Sequence, residues 1–208
     1  ESGRRDSVVI PNAGPVAAPA PMAPRPPHLT YIGRIHPKKN LLALVEAWRM
    51  ARRPEDAVLT LAGWGDEADV AALRMAVAAA GPAVRFVGPV YGAAKQDLLD
   101  TARFTVLASH SEGLPMAVLE GWAAGTPAIM TGECNLPEGL AAGAALECGY
   151  EPATIVPAIE QALAIDAERW LGMASAAHRL AAGPFAAKTI AARWSEAYLR
   201  AMPAGKDQ

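Results

Sequence analysis

Short apolar runs alternate with amphipathic helical stretches between residues 28 and 131. The runs are HLTYIG, VLTLAG, VRFVG, FTVLAS and PAIMT, which begin at residues 28, 58, 84, 104 and 127. They are apolar on both faces, as buried strands are, and between them residues such as Leu44, Val45 and Trp48 recur at helical intervals. Strand, helix and strand in this order require right-handed crossovers and a parallel sheet covered on both sides. The sequence therefore predicts a doubly wound, Rossmann-like α/β fold.

The segments that flank this alternation differ from it in composition. Residues 11–27 hold many of the prolines, which favours an extended chain, so residues 1–27 are predicted to be a linker or hinge. Residues 28–183 are predicted to form the Rossmann-like domain. The alanine-rich part after Pro152 is predicted to be helical, with residues 184–208 as a C-terminal helix and tail. In that helix Trp194 and Tyr198 lie four residues apart, and we expect them to pack in the core.

Composition excludes several classes of partner. The 208 residues include 19 Lys and Arg against 21 Asp and Glu, and a net charge of -2 gives no reason to expect nucleic acid or an anionic membrane surface. No apolar run approaches the roughly 18 to 20 residues that span a bilayer, so no transmembrane segment is predicted. Cys134 and Cys148 form no C-x-x-C motif and have no histidine at ligand spacing. They predict reduced thiols in a cytoplasmic protein rather than a zinc site.

The loop after the first predicted strand, GRIHPKKN, concentrates positive charge. In sheets of this kind ligands bind beyond the carboxyl ends of the strands. Gly33 lets the backbone turn there, and Arg34 and Lys39 supply a planar guanidinium and a mobile ammonium. That combination suits a diphosphate. The alternative is a solvated basic loop that opens a helix.

The loop after the second predicted strand, GWGDEA, suggests a rival function. It fits the dinucleotide fingerprint G-x-G-x-x-G/A and would make the chain an NAD-dependent enzyme. The motif follows the second strand rather than the first, and Asp66 and Glu67 would repel a pyrophosphate. The end of the next strand also lacks the acid that would hold the ribose. The dinucleotide interpretation is therefore disfavoured.

The stretch SHSEGLPMAVLEGW, residues 109–122, joins two carboxylates to a helix start. Pro115 favours the first position of a helix, which places Glu112 in a loop and Glu120 within the helix. The free N–H groups of residues 113–116 and the helix dipole would attract an anion. Ionised carboxylates only accept hydrogen bonds, and hydroxyls donate them. The implied ligand combines phosphate with sugar.

Four stretches, YIGRIHPKKNLLALVEAW, LAGWGDE, VRFVGPV and SEGLPMAVLEGWAAGTPAIMT, resemble one known family. They are similar to the nucleotide-sugar-binding, C-terminal half of the retaining glycosyltransferases called group 1 or family 4, which have the two-domain GT-B fold. The resemblance covers about residues 8–200, and the E-x7-E element from Glu112 to Glu120 is its most specific part. It implies sugar transfer from a nucleotide-diphospho-sugar with retained configuration, in bacterial polysaccharide biosynthesis.

The resemblance also implies that an N-terminal, acceptor-binding domain is missing. SVVIPN, at residues 7–12, resembles the segment that normally follows that domain. The acceptor site and a catalytic histidine would lie on it, so the chain is expected to bind nucleotide sugar without turning over alone. Any peripheral membrane association is likewise expected through the missing domain.

The family's functional residues map onto the loops described above. By this resemblance Arg34 and Lys39 bind the donor diphosphate and stabilise the departing nucleotide in place of a metal, so no metal or cofactor is expected. Glu112 accepts hydroxyls of the transferred sugar, and Glu120 accepts those of the ribose. His110 either touches the ligand or packs locally. The other residues expected in the donor site are Gly33, Gly63, Arg85, Val87, Gly88, Gly113, Leu114, Pro115 and Met116.

Three positions depart from the family's commonest pattern. Asn40 stands where Gly is usual, Ala108 where Pro is usual, and Trp122 where a small residue or Met is common. A non-catalytic nucleotide-sugar-binding module stays open as an alternative, because every expected contact serves binding equally well. A two-domain nucleotide-sugar epimerase is disfavoured by the spacing of the two glutamates.

Overall fold

The computed structural model describes residues 8–19 and 23–202. Its centre is a six-stranded parallel sheet in the order β3-β2-β1-β4-β5-β6. The strands are β1 (His28–Ile32), β2 (Val58–Ala62), β3 (Val84–Gly88), β4 (Phe104–Leu107), β5 (Ala128–Met130) and β6 (Ala145–Glu147). The five predicted strands are confirmed. β6 was not predicted, because the sequence around it, AAGAALE at residues 141–147, contains no β-branched or aromatic residue.

Helices connect and cover these strands, which confirms the Rossmann-like α/β fold with a helical C-terminal part. They are α1 (Leu41–Met50), α2 (Glu67–Ala80), α3 (Gly92–Thr101), α4 (Met116–Ala123), α5 (Pro137–Ala141), α6 (Pro152–Ala164), α7 (Ala167–Ala182) and α8 (Ala187–Ala201). Helix α1 packs against α2 and α6, whereas α4 packs against α3 and α7. Two short 3-10 turns, Pro37–Lys39 and Gly132–Cys134, follow β1 and β5.

Three tryptophans anchor the core. Trp48, Trp122 and Trp170 are fully buried among the leucines and isoleucines of the sheet and helices. Trp122 packs on Phe185 with 5.8 Å between ring centroids. A Cβ at Gly139 would lie 2.5 Å from the Trp122 indole, so the glycine leaves the space that the larger side chain occupies. The departure at Trp122 is therefore accommodated within the fold.

Two predictions about burial are wrong. Of the residues of α8 only Ile190 is buried, and Trp194 and Tyr198 are 47% and 65% exposed. Their rings contact each other, with centroids 5.9 Å apart, rather than the core. Strand β3 is not buried on both faces either: Arg85 and Val87 are exposed, because β3 lies at the edge of the sheet.

The proline-rich segment, residues 8–19 and 23–27, contains no helix and is attached to the domain by hydrogen bonds. Gly14 N donates to Phe185 O at 2.9 Å, and Ala18 N donates to Ala123 O at 2.8 Å. The division at residues 27 and 183 stays a prediction. Residues 1–7 and 20–22 of the predicted linker and 203–208 of the predicted tail lie outside the described residues.

Candidate functional site

A cavity of about 350 Å³ lies beyond the carboxyl ends of β1 to β4. β1 and β4 are neighbours in the sheet but not in sequence, so the chain leaves them in different directions and a crevice opens between the loops. Nine of the predicted site residues line this cavity, namely Gly33, Arg34, Lys39, Gly63, Glu112, Leu114, Pro115, Met116 and Glu120. Lys39 and Glu112, 73 residues apart in sequence, thus meet in one cleft.

The other predicted site residues lie outside the lining of this cavity. Gly88 has φ 76°, and the β2–β3 register shifts just before it, so Pro89, Val90 and Tyr91 line the cleft instead of Arg85, Val87 and Gly88. The exposed His110 ring stacks on Tyr150 with centroids 5.2 Å apart. Gly113 precedes the lining residues of α4. The functional roles of these residues stay predictions.

Glu112 is the most enclosed carboxylate of the cleft, with 8% of its side chain exposed. Its Oε1 accepts from Lys39 Nζ at 2.6 Å and from Ser109 Oγ at 2.7 Å. A charge-assisted bond of this length is roughly twice as strong as a neutral one. The paired lysine and the serine compensate a charge that burial would otherwise disfavour.

The backbone around Glu112 is tied to its neighbours on both sides. Glu112 N donates to Glu133 O at 3.0 Å, and Asn135 Nδ2 donates to Glu112 O at 2.6 Å. Two residues earlier in this loop, His110 N donates to Lys38 O at 2.8 Å, which joins the loop after β4 to the loop after β1. These bonds hold the backbone of the two loops that carry Lys39 and Glu112 in place.

Glu120 lies on α4 and has a lysine of its own. Lys95 Nζ of α3 donates to Glu120 Oε1 at 2.6 Å, and 29% of the lysine side chain and 23% of the glutamate side chain are exposed. Each glutamate of the E-x7-E element is thus paired with one lysine through Oε1.

Arg34 lines the cleft, and 48% of its side chain is exposed. Its guanidinium is 3.5 Å from Asp66 Oδ1 and lies over the Trp64 ring at 5.6 Å from the centroid. Both charges of that pair are well exposed, so the ion pair contributes little and leaves Arg34 able to bind an anion. Beneath it, Tyr31 donates from its hydroxyl to Arg34 O at 2.7 Å. Burial, with a smaller contribution from the Glu112 charge, raises the pKa of Tyr31, so this donor keeps its proton.

The glycines of GWG serve the packing of one loop on another. A Cβ at Gly63 would lie 1.7 Å from Gly33 O, and one at Gly65 would lie 2.1 Å from Ile35 O. Gly63 N also donates to Gly88 O at 2.8 Å. This close backbone approach accounts for the G-x-G spacing without a dinucleotide, and it seats the loop that carries Arg34.

Helix α4 starts at the cleft. It begins at Met116, one residue later than predicted, and its N-cap Pro115 offers no side-chain hydrogen bond. Within the described residues, the N–H groups of Gly113, Leu114, Met116 and Ala117 donate no hydrogen bond to the protein. They are free to bind an anion at the positive end of the helix dipole.

The charged side chains that line the cleft have a net positive charge, although the whole chain is slightly acidic. Arg34, Lys39 and Lys95 stand against Glu112 and Glu120, a net charge of +1. Among residues 8–19 and 23–202 there is no group of three or more His, Cys, Asp or Glu side chains that could hold a metal ion. In the same part of the chain, no helix has the length and apolar character needed to cross a bilayer.

Sequence reasoning missed Lys95 and Trp64, which line the cleft, and Ser109, which donates to Glu112. Ser109 ends the run FTVLAS and directly precedes the predicted loop, so the rule that ligands bind after strands could have found it. Trp64 lies inside the GWG motif. Lys95 lies in the first turns of α3, seven residues after β3, where the sequence offers no signal beyond a lysine in the sequence GAAKQ.

Comparisons with known proteins identify the family. The family described as glycosyl transferases group 1 matches residues 26–171. The glycogen synthase of Mycobacterium tuberculosis is 29% identical over 178 residues, which are 85% of this chain and 43% of that enzyme. The chain spans less than half the length of this relative.

Solved structures share the fold. HepE of Anabaena, solved with UDP and glucose, superposes with a TM-score of 0.73 at 18% identity and covers 84% of this chain and 48% of its own. AviGT4, a glycosyltransferase involved in avilamycin A biosynthesis, gives a TM-score of 0.72 at 26% identity and covers 95% of this chain and 58% of its own. On the match to most of its length, this chain belongs to the group 1 glycosyl transferases.

Proposed function

We propose that the chain is the donor-binding, C-terminal domain of a retaining, family 4 glycosyltransferase. It would bind a nucleotide-diphospho-sugar without a metal or cofactor. The observation that carries this proposal is the composition of one cleft, which presents cations and free N–H groups beside two glutamates. The first set suits a diphosphate, and the second suits hydroxyls. The UDP and glucose bound by HepE support the same ligand class.

In this proposal Arg34, Lys39 and the N–H groups at the start of α4 bind the diphosphate. As the sugar–phosphate bond breaks, negative charge grows on the leaving phosphate, and donors already fixed in place stabilise it without reorganisation. Glu112 accepts hydroxyls of the transferred sugar, and Glu120 accepts those of the ribose. The acceptor attacks the face from which the nucleotide leaves, so the anomeric configuration is retained.

We further propose that the acceptor binds to a second, N-terminal domain. The cleft contains donor-binding groups, and the chain corresponds to less than half of the curated relative. The domain alone would therefore bind nucleotide sugar but transfer no sugar in the cytoplasm, where we place it, and membrane association would occur through the second domain. Sugar transfer by the 208-residue chain at rates typical of the family would overturn this part of the proposal.

A thermal-shift panel of UDP, GDP, ADP and their sugars tests the ligand class. A ligand at 100 times its Kd adds about 2.7 kcal/mol to the free energy of unfolding. We expect Arg34→Ala combined with Lys39→Ala to abolish the shift. Arg52→Ala combined with Lys188→Ala, at exposed positions outside the cleft, should keep it. An unchanged shift in the first double variant would move the phosphate site elsewhere.

Glu112→Gln separates the sugar from the diphosphate. The substitution removes the acceptor for sugar hydroxyls and also releases Lys39 from its ion pair. We expect it to weaken the intact sugar donor by about tenfold while affinity for the bare nucleoside diphosphate is kept or increased, since one charge-assisted bond contributes roughly 1.5 to 3 kcal/mol. Calorimetric titration measures both. An equal loss of affinity for the two ligands would show that Glu112 does not bind the sugar.

A further inference from the structure

Lys95 and Glu120 form a wall between two cavities. Both side chains line the donor cleft, and both also line a second cavity of about 370 Å³ next to the proline-rich segment. The helices that carry them, α3 and α4, pack against each other, so the 2.6 Å pair spans the contact between them. Glu120 therefore lines the cleft as the partner of Lys95 in an ion pair and not as a lone carboxylate.

The two glutamates of the cleft differ in how firmly they are fixed. Glu112 Oε1 has two donors, Lys39 and Ser109, and the backbone of Glu112 is bonded on both sides. The side chain of Glu120 has Lys95 as its one hydrogen-bond partner among the described residues. A glutamate side chain loses rotamer freedom when it is fixed, so a single bond decides which orientation it holds. The direction of the Glu120 carboxylate depends on Lys95.

That bond leaves half of the carboxylate available. Lys95 occupies Oε1, and within the described part of the chain Glu120 Oε2 has no hydrogen-bond partner. An ionised carboxylate oxygen with free lone pairs accepts from hydroxyls.

We infer that Lys95 is a positioning residue for ribose recognition: it holds Glu120 by one oxygen and aims the other at the ribose hydroxyls of the donor. The inference rests on the proposed function, in which Glu120 receives the ribose. It adds a residue of α3 to the determinants of donor specificity. It also means that discrimination between a ribonucleotide and its dideoxy counterpart depends on a side chain that does not itself contact the hydroxyls.

Calorimetric titration of the 208-residue chain with UDP and with 2′,3′-dideoxy-UDP tests the inference, with the ADP and GDP pairs run in parallel. We expect Lys95→Met to weaken the ribonucleotide about tenfold and the dideoxynucleotide less than twofold. Lys95→Arg keeps the charge and the donor, so it should restore most of the lost affinity. Lys188→Met, an exposed lysine of α8, is the matched control and should change neither. Far-ultraviolet circular dichroism confirms that each variant is folded.

A double-variant cycle distinguishes positioning from direct contact. In the Glu120→Gln background we expect Lys95→Met to cause no further loss, because the carboxylate that Lys95 positions is gone. Equal loss of both nucleotides, or a full further loss in that background, would make Lys95 a phosphate ligand and overturn the inference. Unchanged affinity in Lys95→Met would also overturn it. A wild-type chain that binds none of the three ribonucleotides would instead refute the proposed function, and the inference would fall with it.

Discussion

Two asparagines adopt a backbone conformation that usually requires glycine. Asn40 (φ 57°) and Asn135 (φ 54°) each end a 3-10 turn in the left-handed region. Asparagine tolerates this region better than other residues with a side chain. Each also donates from Nδ2 to a carbonyl near the cleft, Asn40 to Tyr150 O at 2.8 Å and Asn135 to Glu112 O at 2.6 Å. The departure from glycine at Asn40 therefore keeps the turn and adds a bond.

Substitutions at Asn135 separate the turn from the bond. Asn135→Gly keeps the left-handed conformation and loses one hydrogen bond, so we expect a loss of about 1 kcal/mol in the free energy of unfolding. Asn135→Val also places a β-branched residue at positive φ and should cost about 1 to 2 kcal/mol more. Urea titration measures both. Equal losses would show that the backbone conformation is not what the position requires.

Gly63 offers a sharper test of close backbone approach. A methyl group there would meet Gly33 O at 1.7 Å, and φ is 152°. We expect Gly63→Ala to cost about 2 to 4 kcal/mol of unfolding free energy and to weaken nucleotide binding, because the loop with Arg34 must move. Gly81→Ala is the control, since Gly81 also has positive φ (85°) but nothing within 4 Å of the added methyl. A comparable loss of unfolding free energy in both variants would show that backbone strain, and not the close approach to Gly33, causes the effect.

The two buried thiols predict a dependence on alkaline pH. Burial raises the pKa of Cys134 to about 11 and that of Cys148 to about 12, from an ordinary value of 9.0. Above pH 9 the unfolded chain loses thiol protons that the folded chain keeps, so folding is disfavoured as pH rises from 9 towards 12. Between pH 8 and pH 10.5 we expect Cys148→Ala to lose roughly 1 to 2 kcal/mol less unfolding free energy than the wild type. Parallel curves in urea titrations across this range would contradict the prediction.

Helix ends are stabilised by arginines that have no carboxylate partner among the described residues. The Arg25 guanidinium donates to Leu99 O and Ala102 O at the end of α3, and to Ala124 O at the end of α4. Arg103 donates to Ala162 O and Ile165 O at the end of α6. Desolvation lowers the pKa of both arginines, and the negative ends of three helix dipoles favour their charge. The Arg25 contacts, with a bond from the Arg103 guanidinium to Arg25 O, fasten the proline-rich segment to the domain.

Arg25→Met should therefore act on several elements at once. The variant keeps an apolar stem but leaves the part-buried carbonyls of Ala102 and Ala124 without their arginine donor, and we expect a loss of about 2 to 4 kcal/mol in unfolding free energy. Arg52→Met, at an exposed position outside these helix ends, should stay within about 0.5 kcal/mol of the wild type. Chemical denaturation compares the two. Equal stability of the two variants would show that the carbonyls find other donors.

Helices and strands were predictable from the sequence where their apolar pattern was clear. How deeply each of them is buried was harder to predict. The five predicted strands are found where the apolar runs lie, whereas β6 lies in an alanine-rich run without β-branched or aromatic residues. In α8 the spacing of Trp194 and Tyr198 marks one face of a helix but does not show whether anything covers it. The same limit applies to β3, where strand order, which the sequence did not supply, leaves Arg85 exposed.

At the scale of the molecule, the parallel sheet collects the site at one edge. All strands point the same way, so every loop that follows a strand opens at the carboxyl edge. This topological rule allowed the residues after β1 and β4 to be assigned to one cleft from sequence. It could not supply the pairs: Lys39 with Glu112, 73 residues apart, and Lys95 with Glu120, 25 apart, depend on side-chain directions that only the folded chain defines.

The same topology predicts where a nucleotide will slow hydrogen exchange. We expect saturating UDP to protect amides at the carboxyl edge, in residues 33–40, 63–66, 89–92 and 110–117, because the ligand would contact the loops that line the cleft and bind the free N–H groups at the start of α4. The loops at the opposite edge, residues 51–57, 81–83 and 125–127, lead into strands of the same sheet and serve as the internal control. Their exchange should change only through global stabilisation, which affects the slowest amides of the core. If protection appeared equally at both edges, UDP would be stabilising the whole domain without occupying this cleft, and the site would have to be sought elsewhere.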